Sequence, residues 1–390
     1  MDRICHLFEA RRRFLHAAAA VLALVAWPLA TDAKDKLLGE TVELSGAVLF
    51  AETKVPALVL GVVRNGETSV FGFGKIGPAD DRAPDGKSLL RIGSITKAFT
   101  GAVLASLVGD GVVKLTDPLQ ARLGWNVQIP TKDGKAIRLI DLVTHTSGLP
   151  REVERPPAPA DSPFGTITKE TFIQNLHGDP LLFAPGTGAL YSNFGFDLLA
   201  QALANAAGKP YEEVLRERVL TPAGLESTVF LPDAEQRKRL MQGHDFSGAL
   251  LPDAPTVPMI VGSGGLYSTA DDILRWIAWH LDRFAPAGAE MRLLDHAAYV
   301  RRDDLNPVFG LDESGRMDAM SLGWVVMTPT TTHPLILQKA GGLQGIFSYM
   351  AFAPTHGVGA FIAINTFDFA AAQKMAETVN GLIGALALPR

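Results

Sequence analysis

The sequence predicts an α+β fold: an antiparallel sheet flanked by helices, with an all-helical lobe roughly over residues 110–320. Three observations predict it. Strand-like runs lie near the front of the chain, at residues 57–63 and 68–73. More strand-like runs follow residue 323, at 323–327, 335–339, 347–353 and 357–365. The stretch between is helical in period and punctuated by turn residues. Strands and helices are therefore segregated, which favours an antiparallel sheet built from both chain ends over a doubly wound parallel one. The chain has 390 residues, of which 47% are apolar and 20% charged, enough to bury a large core.

Residues 1–33 read as a cleavable export signal. Arg11-Arg12-Arg13 precedes an apolar run over 14–30, and Thr31-Asp32-Ala33 offers small residues for cleavage. The run R-R-R-F-L fits a twin-arginine signal and an ordinary secretory signal equally well. The expected product is a single domain over residues 34–390, placed in the periplasm. Cys5 is the one cysteine and lies inside that signal, so the domain has neither a disulfide nor a thiolate nucleophile. The net charge is -5 with no basic run beyond the first residues, which argues against nucleic acid as a partner. The nine histidines form neither H-x-H nor H-E-x-x-H, so no metal is expected.

Asn65-Gly66 between the first two strand-like runs predicts a hairpin. The stretch RIGSITKAFT over residues 91–100 then opens a helix, with Ile95, Phe99, Val103 and Leu107 four apart and Gly109-Asp110-Gly111 as the stop. Ser94 and Lys97 are three apart at its start, so they share one face. A hydroxyl becomes a nucleophile when a base takes its proton, and a desolvated amine can be that base. The plain alternative is a helix cap beside a surface lysine. A short helix is expected over 137–144 and a proline-rich loop over 149–164. That loop is either a passive surface segment or a wall over a cleft, with Arg151 as a substrate contact. Helices are expected over 168–176, 194–207 and 211–219, and from Ser268 to about 281. The run Val261-Gly262-Ser263-Gly264-Gly265-Leu266 is too glycine-rich for a helix and lacks the lysine of a phosphate loop. A closing helix spans 369–386.

Three patterns occur in order: Ser94-x-x-Lys97, Tyr191-x-Asn193 and Lys339-x-Gly341. The first two occur once in the chain, whereas the third also matches Lys75-Ile76-Gly77 and Lys132-Asp133-Gly134. Only Lys339 lies downstream of the other two and beside strand-like runs. In an extended segment Tyr191 and Asn193 point the same way. A phenol between two ammonium groups is expected to have its phenolate favoured and to serve as base or shuttle. Asn193 is expected to position Lys97 and donate to a substrate amide, and Lys339 to supply a fixed positive charge for a carboxylate. The backbone amides of Ser94 and Gly342 are candidate oxyanion donors, with Gly341 and Gly342 allowing close approach.

These motifs, with THTSGLPRE over 144–152, YSNFGFDLLAQALANAAGKP over 191–210, GSGGLYST over 262–269, LGWVV over 322–326 and QKAGG over 338–342, resemble the serine β-lactamase-like superfamily. That group holds class C β-lactamases, low-molecular-weight penicillin-binding proteins and related esterases. Within it the likeness is greatest to the D-alanyl-D-alanine carboxypeptidase/endopeptidases. The resemblance implies a β-lactamase/transpeptidase-like fold and an acyl-serine mechanism without cofactor, with Ser94 as nucleophile and Lys97 and Tyr191 sharing the base role. It implies Asn193, Lys339, Gly341 and Gly342 as substrate-binding residues. It implies peptidoglycan peptides and β-lactams as partners, and leaves room for peripheral association with the inner membrane. A class C-like β-lactamase, an esterase on the same scaffold and a non-catalytic penicillin sensor are the alternatives. One position departs from the pattern: Ala340 stands where relatives have Thr or Ser. A hydroxyl that would bond a carboxylate is missing there, a contact worth on the order of 1.5–3 kcal/mol.

Overall fold

The computed structural model describes residues 36–78, 80–159, 161–178 and 180–387. The export-signal reading of residues 1–33 lies outside the described residues. Helix α1 (Lys36–Thr53) is followed by the expected hairpin of β1 (Ala57–Arg64) and β2 (Glu67–Gly74). Its turn residues Asn65 and Gly66 both have positive φ, 50° and 87°. That is the backbone a two-residue hairpin turn needs, and glycine adopts it without strain. Strand β3 (Leu89–Arg91) leads through a tight turn at Gly93–Ile95 into α2 (Thr96–Gly109). Then come α3 (Leu139–Val143), α4 (Lys169–Leu176), α5 (Asn193–Ala207) and α6 (Tyr211–Leu215). Strand β4 (Tyr267–Thr269) pairs with β3 and opens α7 (Ala270–Leu281), and α8 (Ala289–His296) follows. The chain closes through β5 (Val300–Arg301), β6 (Ala319–Met320), β7 (Val325–Met327), β8 (Ile336–Leu343), β9 (Ile346–Ala353), β10 (Val358–Ile364) and α9 (Phe369–Ala387).

The main sheet has eight strands in the order β2-β1-β10-β9-β8-β7-β6-β5, all antiparallel. Strands from both chain ends meet where β1 pairs β10, with Leu58 opposite Ile364. Seven of the eight residues of β1 are buried, because this central strand is covered on both faces. Val59 and Val63 point into a core shared with Phe361, Phe352 and the helices α2, α5 and α7. Leu58, Leu60 and Val62 point into a second core with α1 and α9, which contribute Val42, Leu49, Met375, Val379 and Ile383. The period of two along the strand thus divides one sequence between two cores.

The helical portion is shorter than the expected 110–320. Helix α7 leaves it to pack on β1 and β10, and β5 and β6 join the sheet. The reason lies in the sequence of α7, where Ile273, Leu274, Trp276 and Ile277 form one apolar face that the sheet buries. Trp276 stacks on Phe99 of α2 at 3.6 Å between ring centroids, tying the sheet's cover to the nucleophile-bearing helix. Next to it, His280 Nδ1 and His296 Nε2 lie 2.9 Å apart, and Trp324 Nε1 donates to Asp295 Oδ2 at 2.8 Å.

Candidate active site

Ser94 does not sit at the N-cap of an α-helix. It lies in a single 3₁₀ turn, Gly93–Ile95, and α2 begins at Thr96. The cause is steric. Gly93 has φ +51°, and a Cβ there would come within 2.6 Å of the Gly342 nitrogen. A Cβ on Gly341 would come within 2.0 Å of the Ile92 oxygen and 3.0 Å of the Ser94 nitrogen. The turn is therefore pressed against β8 through glycines on both sides, and Ser348 Oγ clamps it by donating to the Ile92 carbonyl at 3.0 Å. The strand expected to stop at residue 339 runs on to Leu343, because Lys339 through Gly342 pair with Met350 through Phe347 of β9. The backbone amides of Ser94 and Gly342 lie at this contact.

Lys97 is no surface lysine: it is fully buried. Helix α2 is buried on nearly every side, rather than along the single stripe its period suggests, because it runs between sheet and helical portion. The Lys97 Nζ reaches Asn193 Oδ1 at 2.6 Å, the Ser263 carbonyl at 2.7 Å and Ser94 Oγ at 3.1 Å. The first two partners can only accept. A neutral amine has two hydrogens for them and one lone pair, which then faces the Ser94 hydroxyl. Burial holds the Lys97 pKa well below the ordinary lysine value, and the charge of Lys339 adds to this; Asp197 and Glu152 pull the other way.

Tyr191 lies just before α5, stacked on His145 at 4.5 Å between ring centroids and lining the cleft beside Ser94. Three basic side chains lie against its ring: Arg151 Cζ at 4.7 Å, Lys97 Nζ at 4.8 Å and Lys339 Nζ at 4.9 Å from the centroid. The expected phenolate is nonetheless disfavoured. Burial raises the Tyr191 pKa above that of free tyrosine and outweighs the opposing influence of the Ser94 side chain and of the Arg151 charge. His145 is also held neutral by burial, and its Nδ1 accepts from the Ser192 amide at 3.0 Å, a structural role. Lys339 is only 3% exposed, and burial brings its pKa down to about 7, so its charge is conditional on pH rather than fixed.

Asn193 is the first residue of α5, while Ser192 caps the helix by accepting from the Gly195 amide. The Asn193 amide is thereby aimed two ways: Oδ1 to Lys97, and Nδ2 to Glu152 Oε1. Two supporting residues escape motif reading. Asp197 is fully buried one turn after Asn193 and accepts from Ser263 twice, from its amide at 2.8 Å and its hydroxyl at 2.9 Å. Ser263, from the glycine-rich run, turns its carbonyl on Lys97. The four-residue spacing of Asn193 and Asp197 on one helix face was the available signal.

These groups line a cleft of about 610 Å³ holding Ser94, Tyr191, Asn193, Lys339, Gly341 and Gly342, with Arg151 and Glu313 at its mouth. Phe246, Phe347, Phe367 and Phe369 form an aromatic wall along it. A larger hollow of about 930 Å³, lined by Glu212, Arg216 and Phe230, contains none of the three motifs.

The beta-lactamase family profile matches residues 35–384. The D-alanyl-D-alanine-carboxypeptidase/endopeptidase AmpH of Escherichia coli K12 is 38% identical over 326 residues, 83% of either chain. A beta-lactamase of Pseudomonas fluorescens is 26% identical over 364 residues, covering 86% of this chain and 94% of that one. Among solved structures, the beta-lactamase/D-alanine carboxypeptidase of Yersinia pestis complexed with citrate superposes with a TM-score of 0.81 at 36% identity, covering 91% of this chain and all of that one. The class C beta-lactamase of Rhodobacter sphaeroides shares the fold, with a TM-score of 0.72 at 20% identity. By sequence, fold and site alike, the chain belongs to the beta-lactamase family of serine hydrolases.

Proposed function

We propose that this chain is a serine D-Ala-D-Ala carboxypeptidase/endopeptidase acting on peptidoglycan peptides, and that Ser94 carries the acyl group. The observation that supports it most is the hydrogen bonding of Lys97, whose two acceptor partners leave its lone pair to the Ser94 hydroxyl. In this reading Lys97 takes the Ser94 proton as Oγ attacks the D-Ala carbonyl. The Ser94 and Gly342 amides receive the developing oxyanion. Tyr191 stays a phenol and relays a proton from Lys97 to the leaving amine, a task that suits its raised pKa and its contact with Ser94. Water then cleaves the acyl-serine by the reverse proton path. β-Lactams acylate the same serine. The relative from Escherichia coli is named for this carboxypeptidase and endopeptidase activity, which supports the assignment. Export by residues 1–33 and a periplasmic location belong to the same proposal.

Ala340 and the aromatic wall favour a second reading, in which esters or β-lactams are turned over on this scaffold. Incubation with purified pentapeptide muropeptides and cross-linked dimers, followed by mass analysis, separates the two. Release of one alanine or conversion of dimers to monomers is expected from the wild type and not from Ser94→Ala. Turnover of short acyl esters with every muropeptide left intact would refute the peptidase assignment.

A further inference from the structure

We propose that Arg151 is the receptor for a carboxylate on the leaving side of the substrate, and that Glu313 competes with the substrate for it. The inference rests on the acyl-serine reading and names the substrate feature that reading lacks.

The site has lost one carboxylate partner and weakened another. Ala340 offers no hydroxyl, and Lys339 is buried, with a pKa lowered to about 7. Arg151 has the complementary properties. Its guanidinium carries five donors in a planar fork that matches a carboxylate. Its backbone is fixed, because its carbonyl accepts from the amides of Asn193 at 2.9 Å and Phe194 at 3.3 Å, the first two residues of α5. The arginine therefore keeps station with the residue that holds Lys97. Its side chain is half exposed and lines the cleft with Ser94 and Lys339. It lies against the Tyr191 ring, as Lys339 does, so the two cations flank the phenol next to the nucleophile.

A glycine lies beside it and the Tyr191 ring. Gly310 has φ +68°, and a Cβ there would come within 3.2 Å of Tyr191 Cβ and 3.5 Å of Arg151 Nη1. Among the described residues, the one acid that pairs with Arg151 is Glu313, at 3.7 Å. That exceeds a hydrogen bond, and the Glu313 side chain is 70% exposed. Such a wet, long pair is weak and exchangeable. A substrate carboxylate entering between Arg151 and Lys339 would replace it with a shorter, bidentate contact. The class selected is an acyl donor whose leaving part ends in a free carboxylate.

The test uses the full domain and two probes, an Nα,Nε-diacetylated Lys-D-Ala-D-Ala peptide with a free C-terminus and the same peptide as its C-terminal amide. The quantity read is the acid-to-amide ratio of kcat/KM. Arg151→Met is expected to lower this ratio at least about tenfold, chiefly through KM. Glu313→Gln is expected to raise it a few-fold. Equal loss on both probes, or an unchanged ratio in either variant, would overturn the proposal, since a purely structural arginine cannot discriminate between the two. If neither peptide is hydrolysed by the wild type, the peptidase assignment fails separately. The same ratio is then read from acylation by benzylpenicillin and its methyl ester, followed by intact-protein mass, with the same two outcomes.

Discussion

Lys97 shows at the scale of one residue how burial sets chemistry. Its neighbours in sequence say only that it shares a face with Ser94. Its three oxygen partners, from α5, the 261–266 run and the nucleophile itself, decide which way its lone pair points. Arginine in its place would stay protonated and could not accept, so Lys97→Arg is expected to slow acylation by at least about a thousandfold, in the range that loss of a general base produces. Labelling kinetics with a fluorescent penicillin measure this. Lys339 gives a second prediction. With a pKa near 7, it is charged below that value and neutral above it. KM for a substrate with a free carboxylate should therefore rise as pH goes from about 6 to 8.5, while KM for the amide stays level; parallel profiles would show that Lys339 does not meet the carboxylate. At this scale the motifs located Ser94, Lys97, Tyr191, Asn193 and Lys339, but not their protonation. Tyr191 was expected to ionise because its cations are legible in the sequence, whereas its burial arises from α5, His145 and the cleft walls together. Asp197 and Ser263 escaped because neither belongs to a motif and their bond joins segments 66 residues apart.

At the scale of elements, the site depends on how closely the nucleophile turn can approach β8. Gly93, Gly341 and Gly342 make that approach possible, and a side chain at Gly341 would meet the Ile92 carbonyl. Gly341→Val suits a strand by propensity, so its cost falls on the contact. Acylation is expected to fall by about a hundredfold or more through misplacement of the Ser94 and Gly342 amides. Far-ultraviolet circular dichroism should stay like that of the wild type. Retained acylation would show that the turn has slack this geometry does not allow. The hairpin was legible because Asn-Gly between alternating strands has one physical meaning. The 3₁₀ turn at Ser94 was not, because it is imposed by a strand nearly 250 residues further along the chain.

Across the whole molecule, one sheet joins both chain ends and separates two cores, and that segregation was readable from where strand-like runs lie. The reach of α7 over the sheet was less legible, since an amphipathic helix reports that it has a partner but not which one. The same packing buries several histidines. His145, His280 and His296 are all held neutral by burial, His296 down to about 4. An unfolded histidine takes up a proton near pH 6.5, so below that pH the unfolded chain binds more protons through these residues than the folded one. Their contribution to stability is full above 6.5 and is lost as pH falls towards 4. The buried carboxylates Asp197 and Asp295, with raised pKa values, act in the opposite direction. Comparison with His296→Gln removes that background: the drop in Tm between pH 7 and pH 4.5 should be smaller in the variant than in the wild type. An equal drop would remove His296 from the acid response.

Ser94, activated by Lys97, is expected to become acylated by a D-Ala-D-Ala peptide. Quenching the enzyme during turnover of such a peptide and digesting it with trypsin, which cuts after Arg91 and Lys97, locates the adduct. The acyl group is predicted on the fragment spanning residues 92–97, with D-alanine released in at least equal amount and neither signal from Ser94→Ala. D-Alanine released by Ser94→Ala at the wild-type rate, with no adduct on that fragment, would show that Ser94 is not the nucleophile.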